Sequence, residues 1–214
     1  IITAGPTYEA IDPVRFIGNH SSGKMGYELA KQAAKQGANV ILVSGPSSLT
    51  IVDDSVTLIR VNTAQQMYDE VHKHYDSVDV GIAAAAVSDY RPKVVADQKI
   101  KKAGEEMTIV LEKSPDILLS MGQHKKNQLL VGFALETENE IANAKKKLEK
   151  KNLDFIVLNS LNDKGAGFKK DTNKITIIDK AHNAKSFDLK SKAKANRTIK
   201  VVFATPLITE CHFM

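Results

Sequence analysis

Short apolar runs and longer amphipathic segments alternate along the first 158 residues of the chain. The apolar runs are typical of buried strands, and they are IITAG, ANVILVSG, LIRVN, VDVGIAAAAV, LLVGFALE and LDFIVLNS. Between them apolar residues recur at helical spacing, at Met25, Leu29 and Ala33, at Met67, Val71 and Tyr75, and at Ile141, Ala144 and Leu148. This alternation predicts an α/β fold, a Rossmann-like three-layer α/β/α sandwich with a mostly parallel sheet.

Residues at the ends of these segments indicate where the helices begin and end. Gly23 precedes the first helical segment and Gly37 ends it, while Thr63 is placed to cap the second. The segment SPDILLSMGQH predicts a further helix, with Ser114 as its N-cap and Pro115 at its first helical position. The segment MTIVLEK alternates apolar and polar residues and is interpreted as one arm of a hairpin.

The sequence changes character after residue 158. A Gly- and Lys-rich loop over 160–173 is followed by KITIID and KSFDL, which together predict a C-terminal hairpin. We therefore expect a single domain over 1–214, with a core over 1–158, a loop and hairpin extension over 159–192, and an atypical tail over 193–214.

The composition is that of an ordinary globular protein. Hydrophobic residues make up 43% and charged residues 26% of the 214 residues. No apolar run reaches the length of about 18 residues that a membrane-spanning helix needs. A single cysteine, Cys211, excludes an internal disulfide framework and fits a reducing compartment, so we expect a cytoplasmic protein. The chain begins at Ile1 inside a predicted strand without a signal peptide, and we expect it to be a piece of a longer polypeptide.

Most of the positive charge lies in two lysine-rich stretches. The net charge is +5, and the stretches are KIKK at 99–102 and KKKLEKK at 145–151. Such lysines form either a solvated helix face or a binding surface for a polyanion, and composition leaves both alternatives open. Nucleic acid is the less favoured polyanion, because the chain has no Trp, only 6% aromatic residues and no recognition motif.

The stretch GNHSSGKMG at 18–26 is close to a P-loop but differs from one in two ways. Met25 occupies the position of the Ser or Thr that would bind magnesium, and about thirteen residues separate Gly18 from the first strand. A G-x-G-x-x-G fingerprint does not follow that strand either, which argues against an NAD(P)-linked reductase. Two interpretations remain, an anion site at a helix N-terminus with Ser21, Ser22 and Gly23, or an ordinary serine N-cap with a glycine packing contact.

The loop before this stretch is rich in polar groups. Asp12, Arg15, Asn19 and His20 lie together between apolar runs, where functional residues are often found. Arg15 can bind a carboxylate or a phosphate through two parallel hydrogen bonds. This density of polar groups favours a binding function for the loop.

Six blocks of the sequence together resemble a known enzyme family. They are ITAGPTYEAIDPVRFIGNHSSGKMG, AAAAVSDYRP, QKIKK, SPDIL, VGFALET and KKNLDFIVLN. In this order and spacing they resemble the bacterial phosphopantothenate–cysteine ligase family, also called phosphopantothenoylcysteine synthetase, over residues 1 to about 190. The tail, TIKVVFATPLITECHFM, departs from the ending that is usual in that family.

The resemblance implies a reaction of coenzyme A biosynthesis and a set of partners. Ligases of this family use CTP with Mg²⁺ to convert 4′-phosphopantothenate into an acyl-cytidylate, and L-cysteine then displaces CMP. They have a Rossmann-like fold, act as homodimers, and are often fused to a flavin-dependent decarboxylase domain. We accordingly expect no flavin in this chain, and no nucleic-acid or membrane partner. The alternative is a nucleotide- or flavin-binding Rossmann module without catalysis.

The resemblance also implies roles for individual residues. Lys99 corresponds to a lysine that contacts the triphosphate, and Asn19 to the asparagine needed when cysteine attacks, with Arg15 beside it. The expected nucleotide-binding residues are Ser21, Ser22, Gly23, Ala83, Ala84, Ala85, Asp89, Lys99, Pro115, Asp116, Ile117, Leu118, Phe133, Lys147 and Lys151. For the alanines and Phe133, a plain core role is an equally valid interpretation. Metal ligands are not apparent, as expected where Mg²⁺ is held mostly by phosphate and water.

Overall fold

The computed structural model describes residues 1–102, 104–136, 138–160 and 172–191. The strands are β1 Ile2–Ala4, β2 Tyr8–Ala10, β3 Phe16–Gly18, β4 Val40–Ser44, β5 Val56–Arg60, β6 Val80–Ala83, β7 Tyr90–Pro92, β8 Leu111–Lys113, β9 Leu129–Glu136, β10 Phe155–Ser160, β11 Thr172–Asp179 and β12 Ala184–Ser191. The helices are α1 Lys24–Ala34, α2 Ala64–Tyr75, α3 Ile117–His124 and α4 Glu140–Lys150.

Eight of these strands form one sheet in the order β12-β11-β10-β9-β6-β1-β4-β5. From β10 to β5 every neighbouring pair is parallel, whereas β11 and β12 join in antiparallel fashion. The mostly parallel α/β sheet and the C-terminal hairpin that the sequence predicts are thus confirmed. The chain runs from β1 outward through β4 to β5 and then crosses to β6 on the other side of β1. The topological switch point therefore lies between β1 and β6.

Helices cover both faces of the sheet. Helices α2, α3 and α4 pack on one face, and their buried residues form one hydrophobic cluster with the sheet residues that point toward them. Helix α1 contributes to a second cluster on the opposite face. In α2 the predicted stripe is confirmed, since Met67, Val71 and Tyr75 are almost fully buried. Thr63 caps this helix, and its hydroxyl accepts a hydrogen bond from the Gln66 amide.

The position of Gly26 is explained by packing between α1 and β1. A Cβ atom on Gly26 would lie 2.5 Å from the Cβ atom of Ala4 and 3.0 Å from the carbonyl oxygen of Thr3. Only a residue without a side chain lets the helix approach the strand so closely. The glycine packing contact, one of the two interpretations of this stretch, is therefore present.

Three local predictions are wrong. Ile141 is 49% exposed rather than directed inward, although Ala144 and Leu148 of the same helix are buried. The fourth predicted strand is only the four residues of β6, because the chain beyond it leaves the sheet. The N-cap of α3 is Asp116 and not Ser114, and the Asp116 side chain accepts a hydrogen bond from the amide of Leu119.

Two small antiparallel ribbons stand beside the main sheet and were not predicted as complete units. Strands β2 and β3 pair with each other, and the rings of Tyr8 and Phe16 stack between them. Strands β7 and β8 pair with Tyr90 opposite Lys113. These ribbons bring distant parts of the chain to the same edge of the sheet.

The described helices include none that is long and apolar enough to span a membrane. The loop over 161–171, the tail over 193–214 and Cys211 lie outside the described residues, so the predictions made for them stay predictions. The division of the chain at residues 158 and 192 likewise stays a prediction.

Candidate functional site

A cleft of about 470 Å³ opens beyond the carboxyl ends of β6 and β9. In open parallel sheets this edge is the usual place for a ligand. Most of the predicted nucleotide-binding residues line the cleft, namely Ala83, Ala85, Asp89, Pro115, Asp116, Ile117, Leu118, Phe133, Lys147 and Lys151. The sequence analysis missed Thr3, Val87, Ser88, Tyr90, Lys113 and Ser114, which line it as well.

The cleft lies to one side of the switch point because backbone fills the crevice between β1 and β6. The chain after β6 continues beside the chain after β1, with the amide of Ala86 donating to the carbonyl oxygen of Gly5 at 2.8 Å. Further along, the amide of Ser88 donates to the Thr7 hydroxyl at 3.0 Å. These contacts lie where a dinucleotide is usually bound, and the open cleft is lined by residues of β9 and α4 instead.

Lys147 presents a partly desolvated cation in this cleft. Its ammonium group donates a hydrogen bond to the carbonyl oxygen of Phe133 at 2.9 Å. Burial lowers the pKa of Lys147 below its ordinary value, and the nearby charge of Lys151 lowers it further. The carboxylates of Glu136, Asp116 and Asp89 act in the opposite direction. A bound anion would relieve the unfavourable burial of this charge.

Lys151 is held in place by the residue that caps α3. Its ammonium group lies 2.9 Å from a carboxylate oxygen of Asp116. Burial acts to raise the pKa of Asp116, but hydrogen bonds from Lys151 and from the Leu119 amide outweigh it, so the pKa is lowered. Asp116 is therefore a carboxylate that orients both the start of α3 and a cleft lysine. Lys147 and Lys151 thus share a helix face as the sequence indicated.

The β7–β8 ribbon brings Asp89 to the start of α3. The carbonyl oxygen of Asp89 accepts a hydrogen bond from the amide of Ser114 at 2.9 Å. This bond also explains why Ser114 does not cap α3, because it ties the backbone of residue 114 to the ribbon. Pairing across more than twenty residues leaves no periodic signal in the sequence, so the ribbon residues of the cleft could not be identified beforehand.

Arg15 is engaged with its own loop rather than with the cleft. Its guanidinium contacts the Asp12 carboxylate, with Nε 3.0 Å from Oδ2, and donates to the carbonyl oxygen of Ile100 at 3.1 Å. The amide of Ile100 donates to the same Asp12 oxygen at 3.1 Å. The Arg15 hydrogen bonds hold the pKa of Asp12 well below its ordinary value, with help from backbone amides and against burial. These contacts position the segment that carries Lys99.

Asn19 connects the α1 loop to the chain that leaves β6. Its side-chain amide nitrogen donates to the carbonyl oxygens of Ala86 and Val87, at 3.0 and 3.2 Å. Val87 lines the cleft, so Asn19 contacts the cleft wall from outside. Ser21, Ser22, Gly23, Ala84 and Lys99 are likewise not among the lining residues.

The loop before α1 uses its hydroxyl groups internally. Ser21 accepts a hydrogen bond from the amide of Gly23 at 3.3 Å, and Ser22 accepts one from the amide of Lys24 at 3.4 Å. Gly23 has a φ of 79°, a left-handed conformation that glycine adopts without strain. Gly23 itself is the N-cap of α1, without a side-chain capping hydrogen bond, so the serine N-cap alternative is wrong. Anion binding at this place stays a prediction.

No group of three or more His, Cys, Asp or Glu side chains among the described residues is arranged to hold a metal ion. The charged groups of the cleft are instead lysines and two separate aspartates. Lysines of this kind can attract a polyanion.

Comparison with known proteins agrees with the fold. The sequence profile of the DNA/pantothenate metabolism flavoprotein C-terminal domain matches residues 1–205. A prokaryotic protein named cysteine/cysteine sulfinic acid decarboxylase is 52% identical over 194 residues, which cover 90% of this chain and 54% of that protein. The coenzyme A biosynthesis bifunctional protein CoaBC of Bacillus subtilis (strain 168) is 49% identical over 192 residues, which cover 90% of this chain and 47% of that protein.

A solved structure of a CoaBC domain has a similar fold. The crystal structure of the C-terminal domain of coenzyme A biosynthesis bifunctional protein CoaBC has a TM-score of 0.81 and 44% identity, covering 97% of this chain and 96% of that one. The chain spans about half the length of the curated relatives it matches. On this evidence, the chain belongs to the family of DNA/pantothenate metabolism flavoprotein C-terminal domains.

Proposed function

We propose that this chain is a phosphopantothenate–cysteine ligase of coenzyme A biosynthesis that uses CTP and Mg²⁺ and works in the cytoplasm. The observation that carries the proposal is the convergence of Lys147, Lys151 and Asp89 in one cleft at the carboxyl edge of the sheet. The name of the Bacillus subtilis relative, at 49% identity, supports the pathway. The sequence blocks that resemble the ligase family support the reaction.

The first half-reaction joins two anions, and the site must offset their repulsion. A carboxylate oxygen of 4′-phosphopantothenate attacks the α-phosphorus of CTP, and the bond from that phosphorus to the bridging oxygen breaks to release pyrophosphate. The cleft lysines neutralise the triphosphate, and Mg²⁺ bound to phosphate oxygens would share this charge. Lys99 is proposed to stabilise the charge that develops at the α-phosphate. Positioning and electrostatic stabilisation are the main contributions expected of the protein.

The second half-reaction consumes the acyl-cytidylate. The amine of L-cysteine attacks the acyl carbon, the carbon–oxygen bond to phosphate breaks, and CMP leaves as the amine loses a proton. Asn19 is proposed to support this step through its contact with Val87, which lines the cleft. Asp89 is proposed to contact the ribose or the cytosine amine, and Phe133 to pack on the pyrimidine.

We infer that the natural protein also carries a flavin-dependent decarboxylase domain. The relatives are about twice as long as the matched segment, and the Bacillus subtilis protein is named bifunctional. The flavin would belong to that additional domain, and the ligase reaction written above has no step that requires one.

A pyrophosphate assay tests the proposed function. The purified chain is incubated with CTP, 4′-phosphopantothenate, L-cysteine and Mg²⁺, and we expect stoichiometric pyrophosphate, CMP and phosphopantothenoylcysteine. ATP in place of CTP should support a much lower rate. Tight nucleotide binding without pyrophosphate release would instead identify a non-catalytic nucleotide-binding module.

The homodimer is proposed to form through the two ribbons. Large hydrophobic side chains that are exposed cluster on β2–β3, on β7–β8 and on the adjoining loops, namely Val14, Phe16, Tyr90, Val94, Val95, Met107, Val110 and Leu111. Apolar surface concentrated in this way is typical of a subunit interface. A second copy of this chain would cover it by isologous contact.

Replacing Val110 with Asp should weaken this dimer by at least about ten-fold, because a charge would be buried against apolar surface. Val110 is 64% exposed, so the substitution should leave the folded monomer intact. The control is Val52→Asp, at an exposed position in the loop between β4 and β5. Sedimentation equilibrium gives the dissociation constants, and equal constants for both variants would exclude this interface.

A further inference from the structure

The hydroxyl group of Ser114 is an unpaired polar group on the wall of the cleft. Ser114 is one of the lining residues, and its Oγ atom is shielded from solvent. Among the residues that the structure describes, this oxygen has no hydrogen-bond partner. Buried hydroxyl groups almost always have one, so an unpaired hydroxyl in a cleft indicates a missing partner.

The Ser114 hydroxyl could have capped α3 or linked α3 to the ribbon, but other groups form both of these contacts. The cap of α3 is supplied by Asp116, whose carboxylate accepts the Leu119 amide at 3.0 Å. The link between the ribbon and the start of α3 uses the Ser114 backbone, whose amide donates to Asp89. Neither contact involves the Ser114 side chain.

The residues near the Ser114 hydroxyl are polar or charged and would suit a polar ligand. Lys113 directly precedes Ser114 in the chain, and Asp116 follows two residues later. Asp89 lies beside it across the ribbon. All three residues line the same cleft. A serine hydroxyl can both donate and accept a hydrogen bond, and its χ1 angle can change between staggered positions.

We propose that Ser114 is a nucleotide-contacting residue whose hydroxyl forms a direct hydrogen bond with the bound CTP. This inference rests on the proposed function, because it assumes that the cleft binds a nucleotide. It adds a residue that lies in the SPDIL block but is absent from the set of expected nucleotide-binding residues. The described residues provide no partner for the hydroxyl, and a bound nucleotide would provide one.

The test compares Ser114→Ala with wild type in CTP binding and in thermal stability. We expect the dissociation constant for CTP, measured by isothermal titration calorimetry with Mg²⁺, to rise about three- to ten-fold, the usual effect of one lost neutral hydrogen bond. The Tm of the nucleotide-free variant should equal or exceed that of wild type, because the substitution removes an unpaired hydroxyl. A purely structural serine would give the opposite pattern, a lower Tm with unchanged CTP affinity.

Ser120→Ala, in α3, is the matched control. Its buried hydroxyl lies 3.0 Å from the Tyr68 hydroxyl, so its loss should lower the Tm without changing CTP affinity. Equal CTP affinity of Ser114→Ala and wild type would overturn this inference and leave the ligase proposal standing. A wild-type chain that binds neither CTP nor ATP would overturn both.

Discussion

Replacement of Lys99 by methionine is expected to slow pyrophosphate release by about 100- to 1000-fold, the effect of removing one preorganised group that stabilises transition-state charge. Lys99 is exposed, so the Tm should not change. Its backbone neighbour Ile100 is fixed at both its amide and its carbonyl by Asp12 and Arg15. Because the backbone beside Lys99 is already fixed, little backbone entropy is lost when Lys99 binds the triphosphate.

Lys101→Met is the control for this variant. Lys101 is also exposed and carries the same charge two residues along the same segment, but no role in the reaction is proposed for it. Its replacement should leave the rate within about two-fold, as for an ordinary surface substitution. Steady-state pyrophosphate release with CTP and phosphopantothenate at saturation measures both. Similar losses for the two variants would mean that only the overall positive charge matters, and Lys99 would lose its assignment.

The second large effect is expected for Asn19→Asp, and it should separate the two half-reactions. Asn19 donates from its amide nitrogen to the carbonyl oxygens of Ala86 and Val87, and a carboxylate cannot make these bonds. The new negative charge would also oppose an anionic intermediate nearby. We expect pyrophosphate release to stay within about ten-fold of wild type, while phosphopantothenoylcysteine formation falls on the order of 100-fold.

Chromatography of quenched reactions shows which step fails. The acyl-cytidylate should accumulate in Asn19→Asp, and CMP should appear slowly. The control is Asn127→Asp, the same change at an exposed residue between α3 and β9, which should behave as wild type. Product formation at the normal rate in Asn19→Asp would remove Asn19 from the mechanism. Loss of both half-reactions would instead assign it a structural role at the cleft wall.

The sequence was a good guide to the fold because apolar periodicity reflects burial directly. The spacing of Met67, Val71 and Tyr75 identified the buried face of α2, and all three side chains are buried. The apolar runs at 40–44, 129–136 and 155–160 are strands of the parallel sheet. Burial of such side chains is worth roughly 1.5–3 kcal/mol each, enough to impose the pattern on the sequence.

Local signals were weaker where a tertiary contact competed with them. Ser114 and Pro115 form a good helix start, yet the bond from the Ser114 amide to Asp89 leaves the cap to Asp116. Gly26 could have served a ligand or a helix contact, and only the 2.5 Å approach to Ala4 identifies the helix contact. Arg15 could bind the substrate anion or orient its loop, and only the structure shows that its guanidinium contacts Asp12 and Ile100.

The sequence by itself determined the α/β class, the parallel sheet, the C-terminal hairpin and, through its ordered blocks, most of the residues that line the cleft. Only the tertiary structure decided that backbone closes the crevice between β1 and β6, that Asp89 meets the start of α3, and that the Ser114 hydroxyl is left unpaired. The physical reason is the separation along the chain of the residues that interact. Periodicity records which side of an element is buried, whereas hydrogen bonds between residues far apart in the chain depend on how the folded elements meet.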